Sequence, residues 1–300
     1  MNLRGIGYIG LDVPNRQEWD RFATTVVGLE QVARPAGDDD ASYFKADDRS
    51  WRIAARESNT PGIGFIGFEV NDRASFDDAV RILETAGAAP KAAAETELAE
   101  RGVQAMVWFE DPAGTRLEIF WGPTVDGAFR SPLGEPGFVT EGGFGHAVLM
   151  VQDLPAALEF YTSVLGMRTS DFMNFGEGMA IHFLRCTPRH HSIALSAVGP
   201  VSGTHHIALE VADVDQVGTA LDRATEAGLA ITASLGRHKN DRMLSFYMRS
   251  PAGFEVEIGC DPVLVDEETW ITNEFTGGDA WGHHGLTSES LAESVAGNAS

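Results

Sequence analysis

Four copies of one plan run through the 300-residue chain: a strand, an amphipathic helix that stops near a glycine, and further strands. No other feature constrains the fold as much, because a single copy of such a unit cannot bury its apolar face and must pair with a neighbour. The first copy opens with IGYIGLDV (Ile6 to Val13), predicts a helix from Arg16 to Val27 and a turn at Gly28, and continues with strands at ASYFKA and WRIAAR. The second opens with GFIGFEVND (Gly64 to Asp72), has a helix from Ser75 to Thr85 and a turn at Gly87, and closes with MVWFEDPAGTRLEIFWGP. In the third, GFGHAVLMVQD (Gly143 to Asp153) precedes the helix LPAALEFYTSVLG, with Pro155 suited to a first turn and Gly166 to a stop. Strands near Ala180 to Arg185 and Ser192 to Ala197 complete that copy. The fourth runs from THHIALEV through a helix at Val214 to Ala227, Gly228 and three more strands. The expected class is α+β, with four βαβββ modules paired into two halves, residues 1–135 and 136–300.

The Gly-, Pro- and Ser-rich stretch from Asp126 to Gly143 reads as the linker between the halves. Beyond Cys260 the aromatic residues Trp270, Phe275 and Trp281 suggest an arm packed over the second half, and the small polar SESLAESVAGNAS suggests a disordered end.

Composition narrows the function. A formal charge of -22 works against nucleic acid and anionic membranes as partners. No apolar run approaches the ~18 residues needed to span a bilayer. MNLRGIGYIG lacks the parts of a secretory signal, and two cysteines, Cys186 and Cys260, imply no disulfide framework. A soluble cytoplasmic protein is expected. All nine histidines lie at or beyond residue 146, so the halves are expected to have different chemical duties.

Both THHIALEV and FEVEIG alternate with period two, as a strand with one buried face does. His206, Ala208 and Glu210 share one face of the first, and Glu255 and Glu257 share one face of the second. An imidazole or carboxylate aimed inward is costly unless something pairs with it. Ordinary strand histidines beside an edge carboxylate are one explanation, and a metal ion that satisfies both is the other. The repeat favours the metal. When GFIGFEVND is laid over HHIALEVAD, and DPAGTRLEIFWGP over SPAGFEVEIGCDP, Phe65 falls where His206 stands and Glu118 where Glu257 stands. Tyr8 likewise falls where His146 stands. An aromatic ring keeps the volume but cannot ligate iron, so only the second half is expected to hold a site. Two His and one carboxylate without Cys form the ligand set of a facial triad around non-heme Fe(II), and zinc or manganese can use the same residue types. As neighbours on a strand, His205 and His206 are expected to point to opposite faces.

PRHHS (Pro188 to Ser192), GRHKNDRMLSFYM (Gly236 to Met248), PAGFEVEIG (Pro251 to Gly259) and a late WGH (Trp281 to His283) extend the pattern over nearly the whole chain. In these motifs and in module order, the sequence resembles the type I extradiol ring-cleaving dioxygenases of the vicinal oxygen chelate superfamily. The resemblance implies two domains of that superfamily's type, the first metal-free and the second catalytic. It implies extradiol cleavage of a substituted catechol, of the 2,3-dihydroxybiphenyl type, by O2. It makes His146, His206 and Glu257 the ligands of Fe(II), with Mn(II) the less favoured ion. It places His191 at acid–base work on the oxygen side and His238 and Tyr247 on the catechol oxygens, with Asn240 and Asp241 in a supporting shell. Val148 and Phe183 belong to an apolar group with Phe172, Met173 and Phe175 that reads mostly as core, with some members lining a ring pocket. His182, His190, His205, His283 and His284 read as structural or surface residues. Arg242 and the segment Asp171 to Ala180 depart from the family pattern and bear on ring specificity. The family also implies a homo-oligomer, commonly an octamer. A metal-dependent isomerase or transferase and a metal-free ligand-sequestering protein of the same superfamily are the alternative readings.

Overall fold

The computed structural model describes residues 1–35, 40–176, 178–277 and 279–287. The expected disorder of SESLAESVAGNAS therefore concerns residues outside those described. The first module comprises β1 (Leu3–Val13), α1 (Arg16–Phe22) continued by a π-helical turn at Ala23–Val27, β2 (Glu30–Val32), β3 (Ala41–Lys45) and β4 (Ile53–Glu57). The second comprises β5 (Gly62–Val70), α2 (Arg73–Thr85), β6 (Lys91–Ala92), a short α3 (Glu95–Arg101), β7 (Val103–Glu110) and β8 (Arg116–Pro123). The third has β9 (His146–Met150), α4 (Leu154–Glu159) with a π-helical turn at Phe160–Val164, β10 (Arg168–Gly176), β11 (Met179–Arg185) and β12 (Ile193–Ala197). The fourth has β13 (Gly203–Glu210), α5 (Val214–Glu226), β14 (Ile231–Arg237), β15 (Leu244–Arg249) and β16 (Glu255–Cys260), and the arm adds β17 (Asn273–Glu274).

The helices begin and end for local reasons. Asn15, Asp72, Asp153 and Asp213 each accept a backbone N–H of the first turn through the side chain. Each of the four main helical segments gives way to a glycine with positive φ, at Gly28, Gly87, Gly166 and Gly228.

Modules pair through their first strands. The N-terminal sheet runs β2-β3-β4-β1-β5-β8-β7-β6, and the C-terminal sheet runs β14-β15-β16-β13-β9-β12-β11-β10-β17. Along the C-terminal strands the residues alternate between two environments. Ala147, Leu149, Ile207, Leu209, Phe246, Met248, Val256 and Ile258 enter the main core, which also receives the helices. His146, Val148, His206, Tyr247 and Glu257 face a cavity on the other side. The period of two thus separates a stabilising face from a chemical one. The main core joins the halves: Trp19 of α1 packs on Phe254 at 5.6 Å between centroids, and the Tyr161 hydroxyl donates to Asp111 at 2.9 Å.

Two of the segments singled out above gain a description, and one anchor expected in the arm requires correction. The segment Asp171 to Ala180 is a strand-and-turn, since β10 and β11 pair antiparallel across it. The connection from Asp126 to Gly143 is stitched to both halves, with Arg130 N–H donating to Glu30 at 2.7 Å on one side, and Val139 N–H donating to Glu210 O and Glu135 paired with Arg223 on the other. In the arm, Trp270 Nε1 donates to Ser170 O at 2.8 Å and Phe275 meets Phe183, but Trp281 is half exposed. His283, two residues on, is buried.

Candidate active site

Strand register brings the site together. His146 on β9 pairs across Ala208 of β13, and Ala208 pairs with Glu257 of β16, which pairs with Tyr247 of β15. His146 and Glu257 therefore stand two strands apart on one face, with only the methyl of Ala208 between them. His206, two residues before Ala208, leans into the same gap. His146 Nε2 lies 3.2 Å from His206 Nε2 and 3.2 Å from Glu257 Oε2, and His206 Nε2 lies 3.4 Å from the same oxygen. Three donors about 2.1 Å from one shared cation span a triangle of about this size. Glu257 Oε2 is buried with no hydrogen-bond partner, as a ligand atom awaiting a cation would be. Burial by itself would raise the Glu257 carboxyl, yet His146, His206 and His238 hold it well below the carboxylate range. Burial also lowers His146, which favours the neutral imidazole a metal requires.

Two other clusters of potential ligands occur among the described residues, His190–His191–Asp241 and His238–Asp279–His283. Both are committed elsewhere. His190 is bound to Asp171 at 3.0 Å and to His191 at 3.1 Å, and His238 Nδ1 lies 2.6 Å from Asp279, a hydrogen-bond distance with no space for an ion between.

The cavity above the triad measures about 350 Å³. His191 stands on one side, its ring 4.0 Å from that of His146, with Phe183 edge-on at 4.9 Å. Burial, then the neighbouring His146 and His190, push the His191 imidazole well below its usual range. On the other side His238 Nε2 is 2.7 Å from the Tyr247 hydroxyl and 3.3 Å from Glu257 Oε1. Burial and the nearby Glu257 carboxylate raise the Tyr247 phenol well above its usual range. Val148, Met173, Phe175, Ile181, Phe183 and Phe275 form the apolar wall, and Asn240 and Asp241 line the polar end. Most of the group read as core from sequence is therefore cavity wall. Phe172 is the exception, stacked on His182 at 5.0 Å. Arg242 is exposed and outside the cavity, whereas Lys239 lines it.

His205 departs from expectation. The register slips between Thr204 and His206, a bulge that breaks strict alternation. Both rings consequently lie on one side, with His205 Nδ1 2.6 Å from His206 Nδ1 and His205 Nε2 3.7 Å from Glu255. With His206 Nε2 turned to the triad, His206 Nδ1–H donates to His205, whose remaining N–H faces the Glu255 carboxylate. Such outer partners fix a ligand's tautomer. His205→Ala and Glu255→Gln are each expected to weaken metal affinity by roughly 10–100-fold without abolishing it. Competition against a chelator of known affinity measures this, and unchanged affinity in both variants would make the chain Glu255–His205–His206 irrelevant to the metal.

The N-terminal half shows the same register with different contents. Tyr8 pairs with Gly67, and Gly67 with Glu118. A Cβ on Gly67 would lie 2.2 Å from the Tyr8 ring, so the ring fills the space that Ala208 leaves open in the other half. Arg101 lies over Phe65 at 3.9 Å and binds Glu118 through two contacts of 3.0 Å, joined by Arg116 at 2.9 Å and Tyr8 at 2.8 Å. A guanidinium thus answers the buried carboxylate.

Comparison with known proteins gives the family. Residues 143–258 match the family model of the Glyoxalase/Bleomycin resistance protein/Dioxygenase superfamily, and residues 6–57 match that of dihydroxybiphenyl dioxygenase BphC D1. The chain is 37% identical over 298 residues to a biphenyl-2,3-diol 1,2-dioxygenase of Metapseudomonas furukawaii, covering 97% of each. The chain belongs to the extradiol dioxygenases. An iron-dependent extradiol dioxygenase of Rhodococcus jostii is 35% identical, with 94% of this chain and 97% of the relative covered. Among solved structures, BphC, a halotolerant catechol dioxygenase, superposes with a TM-score of 0.89 at 36% identity, covering 94% of both chains. The residues that sequence reasoning passed over in this dioxygenase are Asp171, His190, His205, Asp279 and His283. His190, His205 and His283 carried a signal, as doubled histidines, and His283 also closes the WGH motif.

Proposed function

We propose that this extradiol dioxygenase cleaves a catechol bearing a bulky apolar substituent, of the 2,3-dihydroxybiphenyl type, at Fe(II) held by His146, His206 and Glu257. The carrying observation is one cavity with a triad at its floor, an apolar wall large enough for a second ring, and proton-handling groups on two opposite sides. Iron is preferred to manganese because a relative similar over nearly the full chain is named iron-dependent. Bound there, ferrous iron would supply Lewis acidity toward the diol and an electron path to O2.

The chain's own groups divide the remaining work. Tyr247 and His238, hydrogen-bonded to each other, face the diol and take up or return its proton. Tyr247 is buried and His238 largely so, and their hydrogen bonds to a developing anion act where water is scarce. His191, held neutral by burial, is poised to accept a proton on the oxygen side. Val148 and Phe183 hold the ring, and Asn240 and Asp241 close the polar end. Asp241 Oδ1 accepts the Met243 N–H at 2.9 Å, which fixes the loop that carries it. Residues 1–135 act as a metal-free partner domain to residues 136–300.

Anaerobically loaded protein should hold about one iron per chain and turn 2,3-dihydroxybiphenyl yellow in air with oxygen uptake, but not under argon. Two irons per chain, or metal binding without oxygen uptake on any catechol, would remove this reading in favour of an isomerase-type or binding role.

A further inference from the structure

The arm that follows β16 returns along β14, where two glycines let backbone meet backbone. A Cβ on Gly236 would lie 2.4 Å from the His283 nitrogen, and one on Gly282 would lie 2.2 Å from Leu235 O. Neither distance is open to any other residue. The approach is latched by Ala280 N–H to Arg237 O at 2.8 Å and Arg237 N–H to Trp281 O at 2.9 Å. It sets Asp279 against the far side of His238, with Oδ1 2.6 Å from His238 Nδ1 and 3.1 Å from His283 Nδ1.

A carboxylate accepts and does not donate, so the hydrogen of the 2.6 Å contact sits on His238 Nδ1. Burial by itself would raise Asp279, but the contacts with His238 and His283 hold it at about 2, ionised at neutral pH. The His283 ring lies 4.2 Å from that of His238 and is itself anchored through Nε2 to Ser245 O at 2.9 Å. His238 is thereby clamped from behind, and its Nε2 is the ring atom left facing the cavity.

We propose that Asp279 is a positioning residue for ring cleavage, fixing the tautomer and ring plane of His238 so that Nε2 exchanges the proton of the bound diol. The proposal rests on His238 being the catechol-side residue named above. It makes the C-terminal arm, which supplies none of the triad His146, His206 and Glu257, part of the reactive geometry.

The test uses the full chain with 15N-labelled histidine, loaded with diamagnetic zinc(II) for NMR and with iron for kinetics. The wild type should show a downfield, hydrogen-bonded Nδ1–H at His238, assigned by its loss in His238→Gln. Asp279→Ala should lose that signal and lower kcat by about 10–100-fold, with KM moving less and metal content unchanged. Asp279→Asn, whose amide oxygen still accepts, should keep the signal and recover much of the rate, which also separates the effect from a loosened arm. An Ala variant that retains Nδ1–H, or that loses it at wild-type kcat, overturns the proposal. If the wild type cleaves no catechol, the functional reading fails separately, while the NMR arm still decides whether Asp279 holds His238.

Discussion

Glu257→Ala is expected to purify without iron and to consume no oxygen with a catechol, whereas Glu118→Ala is expected to keep both and lose stability. The two residues occupy equivalent places in the two sheets, each paired with a small residue of a central strand, Ala208 or Gly67. Each is essentially inaccessible to water. What differs is the partner. Glu118 is surrounded by Arg101, Arg116 and Tyr8, so its removal leaves the buried Arg101 guanidinium, stacked over Phe65, with Glu100 at 3.3 Å as its remaining ion pair among the described residues. Breaking a buried pair from one side typically costs about 3–5 kcal/mol. That loss should appear as a lower denaturation midpoint with iron content unchanged. Among the described residues, no arginine pairs with Glu257. Its Oε2 is left to two imidazole nitrogens, and without it two neutral donors remain, too few for a closed face of a facial triad. An iron-replete Glu257→Ala would move the metal away from this triad. A Glu118→Ala variant that folds normally but loses iron would show that the N-terminal half is not the metal-free copy it resembles.

The equivalence of the two carboxylates was legible in the sequence, because the repeat carries register with it. Once Tyr8 is laid over His146 and Phe65 over His206, the pairing of Tyr8 with Gly67 and His146 with Ala208 follows from the same strand order. Helix limits were equally readable, since Asp72, Asp213 and the stop glycines act within one turn of chain. Period-two reasoning stopped at the bulge. It assigned His205 to the far face, and a single slipped pair brought its ring back against His206. It also could not tell the apolar lining of a cavity from core, because Met173 and Phe183 look the same whether they face another side chain or a substrate. Asp279 was out of reach for a different reason. The arm has almost no regular structure, and its path depends on backbone contact at Gly236 and Gly282 rather than on any side-chain pattern.

His191→Phe is expected to retain iron and bind catechol in the absence of air, yet turn over about 10²–10⁴-fold more slowly. The residue is buried beside the triad without belonging to it, its ring 4.0 Å from His146 and edge-on to Phe183. A phenyl ring fits that space and keeps the contact with Phe183, so packing around His146 should hold. What disappears is a proton site whose state the neighbours determine. Asp171 accepts from His190 Nε2, which leaves the neutral His190 Nδ1 to accept from His191 Nδ1–H and frees His191 Nε2 to take a proton. Burial keeps that nitrogen unprotonated at neutral pH. Phenylalanine can neither take nor return a proton, and it strands His190 Nδ1 at a cost of about 1–3 kcal/mol in stability. Asp171→Asn tests the same chain from its outer end, where a smaller fall in rate is expected because the His191 ring itself remains. Anaerobic titration with 2,3-dihydroxybiphenyl should give nearly wild-type affinity for both variants, while oxygen uptake separates them. Wild-type turnover by His191→Phe would make the residue structural and shift the proton work to His238 and Tyr247. A parallel loss of iron and catechol binding would instead show that the imidazole supports His146, and that the rate effect is a metal effect.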